Sequence, residues 1–335
     1  GYLGYDQQQE TAFVPNEEIR LELTKAVKRK KWNEWIEVEG SESLRLPITI
    51  IDGNRDGKTM LISAGVHGAE YIGIETARTL ASTLDPQKVK GKIVILLMAN
   101  PTATYQFQRF FVPEDGKNLN RVFPGKADGT LSERIAHVIT EKLQMEADYY
   151  IDLHGGDTSE HVMPFVYYNG AAGEEIEKIS KWMAEATNLS VRARSLATTG
   201  AYSSACQRGL PSVLIERGGG GRYTKEEVME YCRDVRNILV RTGILEGEEE
   251  VHTVSQREIT TATYLDAPKS CLWYPNFQPG ESFQKDDCLG ILTDVWGESR
   301  QEILAEYDGI VLYETTILCV GEGDPLIAYG KTENA

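Results

Sequence analysis

The segment MLISAGVHGAE, residues 60–70, decides the fold class of this chain. Its start, residues 60–62, is an apolar run typical of a buried strand. The run leads to His67 and Glu70, and the i, i+3 spacing lets both side chains turn toward one point. Open α/β sheets collect ligands at the carboxyl ends of their strands, so a strand that leads to polar ligands favours that class of fold.

A second segment, YYIDLHG at residues 149–155, has the same organisation, with His154 just after an apolar run. Two histidines and a glutamate are a ligand set of catalytic zinc sites, which leave the fourth position to water. Zinc lowers the pKa of water so that it attacks a carbonyl at neutral pH, and the pattern therefore indicates amide or ester hydrolysis. The alternative is a chance spacing, since H-x-x-E occurs in many soluble proteins.

The chain around these segments alternates helices with apolar strands, which predicts a sheet covered on both faces. Residues 47–51 and 58–63 are predicted to form a hairpin across a turn at residues 52–57. The other predicted elements are helices over about residues 22–35, 71–84, 132–145, 174–186 and 225–241, and strands over about residues 93–98, 163–168 and 212–216.

The sequence pattern changes after residue 246, where short runs of β-forming residues alternate with turns. We therefore predict an N-terminal extension (1–45), a catalytic α/β zinc-hydrolase domain (46–246) and a small all-β C-terminal domain (247–335). Turns in the last domain resemble those of lipoyl-like barrel-sandwich domains. The corresponding turn at residues 295–302 contains no lysine, so attachment of a swinging arm is not expected.

The composition is that of an acidic globular protein. The 335 residues, 41% of them hydrophobic, are enough to bury a large core without disulfides. The 35 basic and 51 acidic side chains leave a charge of −16, which argues against a nucleic-acid partner. Five scattered cysteines, no apolar stretch of membrane-spanning length and no signal-peptide pattern predict a cytoplasmic protein with no membrane partner. The sequence does not determine the oligomeric state, and a homo-oligomer is possible.

A loop between the two metal segments, RFFVPEDGKNLNR at residues 109–121, contains Arg109 and Arg121. The α/β scheme places this loop beside the metal. An arginine there could bind a substrate carboxylate or stabilise an oxyanion. The alternative is a surface loop with incidental charge.

Glu216 follows the apolar run at residues 213–215 and precedes Arg217 and four glycines. A carboxylate at a sheet edge suits a general base that takes a proton from water and passes it to the leaving nitrogen. The alternative is a structural ion pair between Glu216 and Arg217. The glycines match neither a P-loop nor a dinucleotide fingerprint, which leaves nucleotide binding a weak alternative.

Four motifs occur in one order: H-G-x-E at 67–70, N-x-N-R at 118–121, D-L-H-G at 152–155, and a strand glutamate followed by x-Gly-Gly at 216–219. Together they resemble the succinylglutamate desuccinylase and aspartoacylase family, within the zinc carboxypeptidase-like superfamily. The resemblance spans about residues 45–330. It implies a zinc-carboxypeptidase-like mixed sheet flanked by helices, with a small barrel-sandwich-like C-terminal domain.

The resemblance also implies the roles of individual residues. One zinc ion per chain would bind His67, Glu70 and His154, and Glu216 would be the general base and proton shuttle.

Three further residues would contact the substrate. Asn120 and Arg121 would bind its α-carboxylate. Arg109 is the nearest candidate for the family's arginine that polarises the scissile carbonyl.

The chain departs from the aspartate-specific members at two positions. Asn118 stands where they have an aspartate that orients a zinc histidine, and a neutral amide orients less strongly. Tyr202 matches their substrate-binding tyrosine, but Cys206 replaces the arginine that grips the substrate's side-chain carboxylate. Whether Arg208 replaces that arginine is open from the sequence. N-acetylaspartate is therefore not the expected substrate.

These observations favour a zinc-dependent deacylase that cleaves the amide bond of a small N-acyl amino acid. Related members deacetylate such compounds, including N-acetyl-diaminobutyrate in ectoine breakdown. One alternative is a zinc carboxypeptidase that acts on short peptides, and another is a metal-dependent binding protein without catalysis.

Overall fold

The computed structural model describes residues 30–40 and 44–333. None of the helices in these ranges combines the length and the apolar character that crossing a bilayer requires. The α-helices are α1 (Tyr71–Thr83), α2 (Pro101–Tyr105), α3 (Leu131–Val138), α4 (Glu174–Ala184), α5 (Ala201–Gln207) and α6 (Lys225–Arg241). The strands up to α6 are β1 (Lys30–Glu37), β2 (Arg45–Asp52), β3 (Thr59–Ala64), β4 (Lys92–Leu96), β5 (Tyr149–Leu153), β6 (Glu160–Asn169), β7 (Val191–Ser195) and β8 (Ser212–Gly219).

The centre of the fold is a mixed sheet in the order β1-β2-β4-β3-β5-β8-β6. The strands β4, β3, β5 and β8 run parallel, and β2 and β6 join them antiparallel. Helices α1, α4 and α6 pack on one face with Met60 and Ile62, and α3 and α5 pack on the other with Leu61. The continuous apolar runs of the sequence are thus explained by burial on both faces, and the predicted fold class is confirmed.

The predicted hairpin of residues 47–63 is wrong. The strands β2 and β3 do not pair, because β4 lies between them, antiparallel to β2 and parallel to β3. The connection from β2 to β3 is long enough to pass the end of β4, where the Gly53 amide donates to the Gly91 carbonyl at 3.0 Å. Turn residues alone therefore did not indicate which strand would be the neighbour.

The predicted helix at residues 22–35 is wrong where the structure describes it. Residues 22–29 lie outside the described residues, whereas Lys30–Glu37 form β1, an edge strand antiparallel to β2. The hydrogen-bonded pairing with β2 stabilises a strand here despite the helical pattern of the local sequence. The helix expected at 132–145 begins as α3 and continues as a π-turn and a 3₁₀ turn to Glu146. The other predicted helices are confirmed to within about two residues at each end.

The chain after α6 is all β, as expected. It contains β9 (Arg257–Ile259), β10 (Ala262–Asp266), β11 (Cys271–Pro275), β12 (Ser282–Phe283), β13 (Cys288–Thr293), β14 (Arg300–Leu304), β15 (Gly309–Thr315), β16 (Cys319–Val320) and β17 (Pro325–Lys331). A separate antiparallel sheet has the order β14-β13-β11-β16. The strands β15, β17 and β10 instead extend the large sheet, because β15 pairs with β6. The domain boundaries at 45 and 246 stay predictions.

A buried carboxyl in β15 makes the stability of the fold pH-dependent. Glu314 is 5% exposed, and its Oε2 has no hydrogen-bond partner among the described residues. Burial, and then the nearby Glu281, raise the pKa of Glu314 to about 7. Because the pKa of Glu314 is higher in the folded than in the unfolded state, the protonated form stabilises the fold. This contribution to the free energy of unfolding is fully present below the unfolded-state pKa and is lost as the pH rises through about 7.

We expect Glu314→Gln to raise the melting temperature by roughly 2 °C at pH 8.5 and to leave it unchanged at pH 4. Thermal unfolding followed by circular dichroism at both pH values measures the effect. Glu302→Gln, an exposed glutamate on the neighbouring small sheet, is the matched control. An equal shift at both pH values would show that the carboxyl does not titrate as described.

Candidate metal centre

The three predicted metal ligands meet at one edge of the sheet. The strands β3 and β5 are parallel neighbours, with Ala64 opposite Leu153, so that their carboxyl ends lie side by side. His67 lies on the loop after β3, and Glu70 directly precedes α1. His154 directly follows β5. Ligands that are distant in the sequence are thus brought together by strand pairing.

The ligand atoms of the three side chains converge within 4.8 Å of one another. Nδ1 of His67 lies 2.5 Å from Oε2 of Glu70, and Nδ1 of His154 lies 3.1 Å from Oε1 of the same carboxylate. Glu70 and His154 are buried, and the His67 side chain is 13% exposed. This group could hold a metal ion, with His67 on the solvent side.

The Nε2 atom of each histidine, which points away from Glu70, lies at hydrogen-bond distance from an oxygen. His154 Nε2 lies 2.7 Å from the Asp152 carboxylate, which also accepts a hydrogen bond from Ser63 at 2.8 Å. His67 Nε2 lies 3.1 Å from Oδ1 of Asn118. With Nε2 of each histidine facing an outer acceptor oxygen, Nδ1, which faces Glu70, is the atom that would bind a metal ion after losing its proton. Two imidazoles and a carboxylate held in this way fit zinc.

The charges of the cluster favour a cation. Burial lowers the pKa of His154, but the carboxylates of Asp152 and Glu70 outweigh it and raise that pKa well above its usual range. Burial raises the pKa of Glu70, but His67 and His154 together hold it below its usual range. Two carboxylates are thus kept next to the imidazoles in a buried site, where a metal ion would compensate their charge.

Glu216 projects toward the same site from β8, the parallel neighbour of β5. It lines the cavity beside the ligands, and its Oε2 has no hydrogen-bond partner among the described residues. Burial, and then Glu70, raise its pKa well above the usual range. Arg217 lies on the opposite face of β8 and pairs with Glu230 at 2.8 Å and Asp234 at 2.9 Å. The alternative of a Glu216–Arg217 ion pair is therefore wrong.

The loop at residues 109–121 contributes some of its predicted residues to the cavity. Asn120 and Arg121 line it, and Asn120 Oδ1 accepts a hydrogen bond from the Ala201 amide of α5 at 2.8 Å. Arg109 is not among the lining residues. Its Nε donates to buried Asp157 at 2.9 Å, and its guanidinium stacks on Phe110, which does line the cavity.

The residues in and after α5 answer the question left by the sequence. Tyr202 is buried and lines the cavity, whereas Cys206 is packed in the core with its Sγ 3.7 Å from the Ser212 carbonyl. Arg208 is exposed, lies 3.4 Å from Glu141 and does not line the cavity. Arg208 therefore does not replace the missing arginine at this site.

The cavity around these residues has a volume of about 670 Å³. One side is formed by the metal ligands, Glu216 and α5. The other side comes from the C-terminal strands, with Ala262 and Tyr264 of β10, Tyr313 of β15 and Pro325 of β17. A space of this size suits a small molecule rather than a long peptide.

The profile of the succinylglutamate desuccinylase/aspartoacylase catalytic domain matches residues 56–241, which include the three predicted metal ligands and Glu216. The chain belongs to the succinylglutamate desuccinylase/aspartoacylase family. The family predicted from the order of four motifs is thereby confirmed.

Relatives within this family share most of the chain. The N-alpha-acetyl-L-2,4-diaminobutyric acid deacetylase of Halomonas elongata is 32% identical over 299 residues, which are 85% of each chain. The product-bound ectoine utilization protein EutE (DoeB) of Ruegeria pomeroyi has a TM-score of 0.82 and 26% identity, over 90% of this chain and 95% of that one. A succinylglutamate desuccinylase/aspartoacylase of Rhodobacter sphaeroides has a TM-score of 0.80 and 26% identity, over 91% and 96%.

Several residues in or behind the cavity wall of this family member were missed from the sequence. Asp152 had a signal, since it lies two residues before His154 on the same side of β5 and could have been identified as its acceptor. Glu160, Tyr264 and Tyr313 had none, because they reach the cavity through pairing of the C-terminal strands with β6.

Proposed function

We propose that this chain is a zinc-dependent deacylase that hydrolyses the amide bond of a small N-acyl amino acid. The observation that carries the proposal is the convergence of His67, Glu70 and His154 beside the unpaired carboxylate of Glu216 in one cavity. The relatives support it, because they are named as a deacetylase of an N-acetyl amino acid and as desuccinylases.

In this proposal the protein supplies ligands, a proton acceptor and a shaped cavity. A zinc ion on the three ligands would lower the pKa of water and polarise the scissile carbonyl. Glu216 takes the proton from water at its free carboxylate oxygen and delivers it to the leaving nitrogen. Asp152 and Asn118 orient the two imidazoles through Nε2, so that Nδ1 of each ring would bind the metal.

Two cavity residues are suited to hold the substrate's α-carboxylate. Arg121 has no carboxylate partner among the described residues, and Asn120 is fixed by its bond to α5. Tyr202 completes the wall next to them. Arg109 as the group that polarises the carbonyl stays a prediction. Asp157 accepts a hydrogen bond from Nε of Arg109, and the buried Nη2 of Arg109 has no partner among the described residues, but Arg109 does not line the cavity.

We expect N-acetyl amino acids to be cleaved and the rate to fall with each residue added to a peptide, because the C-terminal strands form one side of the cavity and limit its size. Measuring kcat/KM for N-acetyl amino acids beside free and C-terminally blocked peptides, with the metal content of the same samples, tests this. Rates that rise with peptide length would instead identify a carboxypeptidase. Bound metal without hydrolysis of any acylated amine would identify a binding protein.

A further inference from the structure

Beside the metal ligands lies a group of buried polar side chains that the proposed mechanism does not use. Ser63 of β3 and Tyr150 of β5 are fully buried, and Gln144, shortly before β5, is 2% exposed. With Asp152, which is also fully buried, they form what we call the buried network. Polar groups in a core cost free energy unless they are hydrogen-bonded, so their partners indicate what they hold in place.

At one end, the hydrogen bonds of the buried network lead to a metal ligand. Ser63 Oγ donates to Oδ1 of Asp152 at 2.8 Å, and Oδ2 of Asp152 faces Nε2 of His154 at 2.7 Å. Ser63 Oγ also lies 2.5 Å from the Tyr150 hydroxyl. Because the single proton of the serine hydroxyl goes to Asp152, Tyr150 donates to Ser63. Burial, and then Asp152, raise the pKa of Tyr150 well above its usual range, so this donor stays protonated.

The other end of the buried network reaches the cavity wall at α5. Gln144 lies within hydrogen-bond reach of the Tyr150 hydroxyl, and its Nε2 donates to the Ala201 carbonyl at 3.1 Å. Ala201 is the first residue of α5, and its amide donates to Oδ1 of Asn120 at 2.8 Å. The network therefore connects the metal side of the cavity to the wall that contains Asn120.

Asn118 extends this series of contacts to the second histidine. Its Oδ1 accepts a hydrogen bond from the Asn120 amide at 3.0 Å and lies 3.1 Å from Nε2 of His67. A continuous series of polar contacts thus joins the two predicted histidine ligands by way of α5. A change at one member of the series alters the support of the next, and a metal ligand stands at each end.

Groups that hold a metal-binding histidine tune the affinity of the site for the metal, although they do not touch the ion. We propose that Ser63 and Tyr150 are positioning residues, which fix the Asp152 carboxylate and thereby orient His154 for the metal. Without the Ser63 hydroxyl, Oδ1 of Asp152 would lose its 2.8 Å hydrogen bond and the carboxylate would be free to turn away from the imidazole. This inference rests on the proposed metal site and does not depend on which substrate is cleaved.

The test measures zinc affinity by competition with a chromogenic chelator. Tyr150→Phe removes one hydroxyl and keeps the ring in the core, and we expect it to bind zinc about tenfold more weakly than the unaltered protein. Ser63→Ala should weaken zinc binding at least as much, because it breaks both contacts of that hydroxyl. The double variant should bind zinc no more weakly than Ser63→Ala, since both hydroxyls act through Asp152.

Tyr168→Phe is the matched control. Its ring is also buried in the large sheet, and its hydroxyl donates to Glu258, away from the buried network. We expect this variant to lose some thermal stability but to bind zinc within about twofold of the unaltered protein.

A second readout separates positioning from a general loss of stability. In zinc-loaded protein with isotope-labelled histidine, the Nε2 proton of His154 should exchange with water more quickly in Tyr150→Phe and Ser63→Ala, because its acceptor is no longer fixed. The rate in Tyr168→Phe should be that of the unaltered protein.

Zinc affinity that stays within about twofold in Tyr150→Phe and Ser63→Ala, whatever their melting temperatures, would overturn the positioning role and leave the deacylase proposal intact. Losses that add in the double variant would also overturn it. If Tyr150→Phe does not fold, Ser63→Ala and the exchange of the His154 proton decide the question. An unaltered protein that binds no zinc would remove the metal centre, and this inference with it.

Discussion

Glu216→Gln is expected to lower kcat about a thousandfold and to leave bound metal unchanged. Glutamine has nearly the same shape, so the packing of β8 is kept, but the amide cannot take a proton from water. Removing the charge does not break a pair, because Oε2 of Glu216 has no partner among the described residues. Protein stability should therefore stay the same or rise.

Steady-state kinetics on an N-acetyl amino acid, with metal analysis of the same samples, measures this effect. Glu230→Gln is a matched control, because Glu230 faces β8 from the other side through Arg217 and its side chain is 63% exposed. That variant should keep kcat within about twofold. Turnover by Glu216→Gln above a tenth of the unaltered value would rule out Glu216 as the general base.

His154→Ala is expected to abolish metal binding and turnover together. The imidazole is one of the three proposed ligands, and its loss also leaves Asp152, which is buried beside it, without its 2.7 Å partner. A chelator should remove activity from the unaltered protein by at least about a thousandfold, and added zinc should restore it. Zinc should not restore His154→Ala.

The decisive readout is metal per chain, measured by atomic absorption after dialysis against zinc. We expect about one equivalent in the unaltered protein and much less in His154→Ala. His161→Ala, an exposed histidine of β6, should bind as much metal as the unaltered protein. A chelated protein that keeps full activity would disprove the metal-dependent mechanism.

The convergence of His67, Glu70 and His154 was predictable because the sequence pattern around each residue is local. His67 and Glu70 follow one apolar strand and His154 follows another, and parallel pairing makes such strand ends adjacent. The prediction of a hairpin was wrong for the opposite reason. The strand that pairs with β2 is β4, which lies far along the chain from the predicted turn.

Side-chain direction was also hidden in the sequence. Because side chains alternate along β8, Glu216 faces the cavity and Arg217 faces α6. The sequence alone does not indicate which of the two faces borders the cavity. Arg109 was predicted near the site from the family resemblance and the position of its loop, and the role of Arg208 was left open. The structure pairs the first with Asp157 and places the second on the surface beside Glu141.

The pairing of β15 with β6 also bears on where the chain can be divided. Tyr313 and Thr315 form ladder positions with Val162 and Glu160. A polypeptide that ended at residue 246 would expose the backbone amides and carbonyls of that stretch as a free edge, which invites association with other strands. We therefore expect the shortened chain to aggregate, so that solubility, and not only substrate fit, depends on residues 247–335.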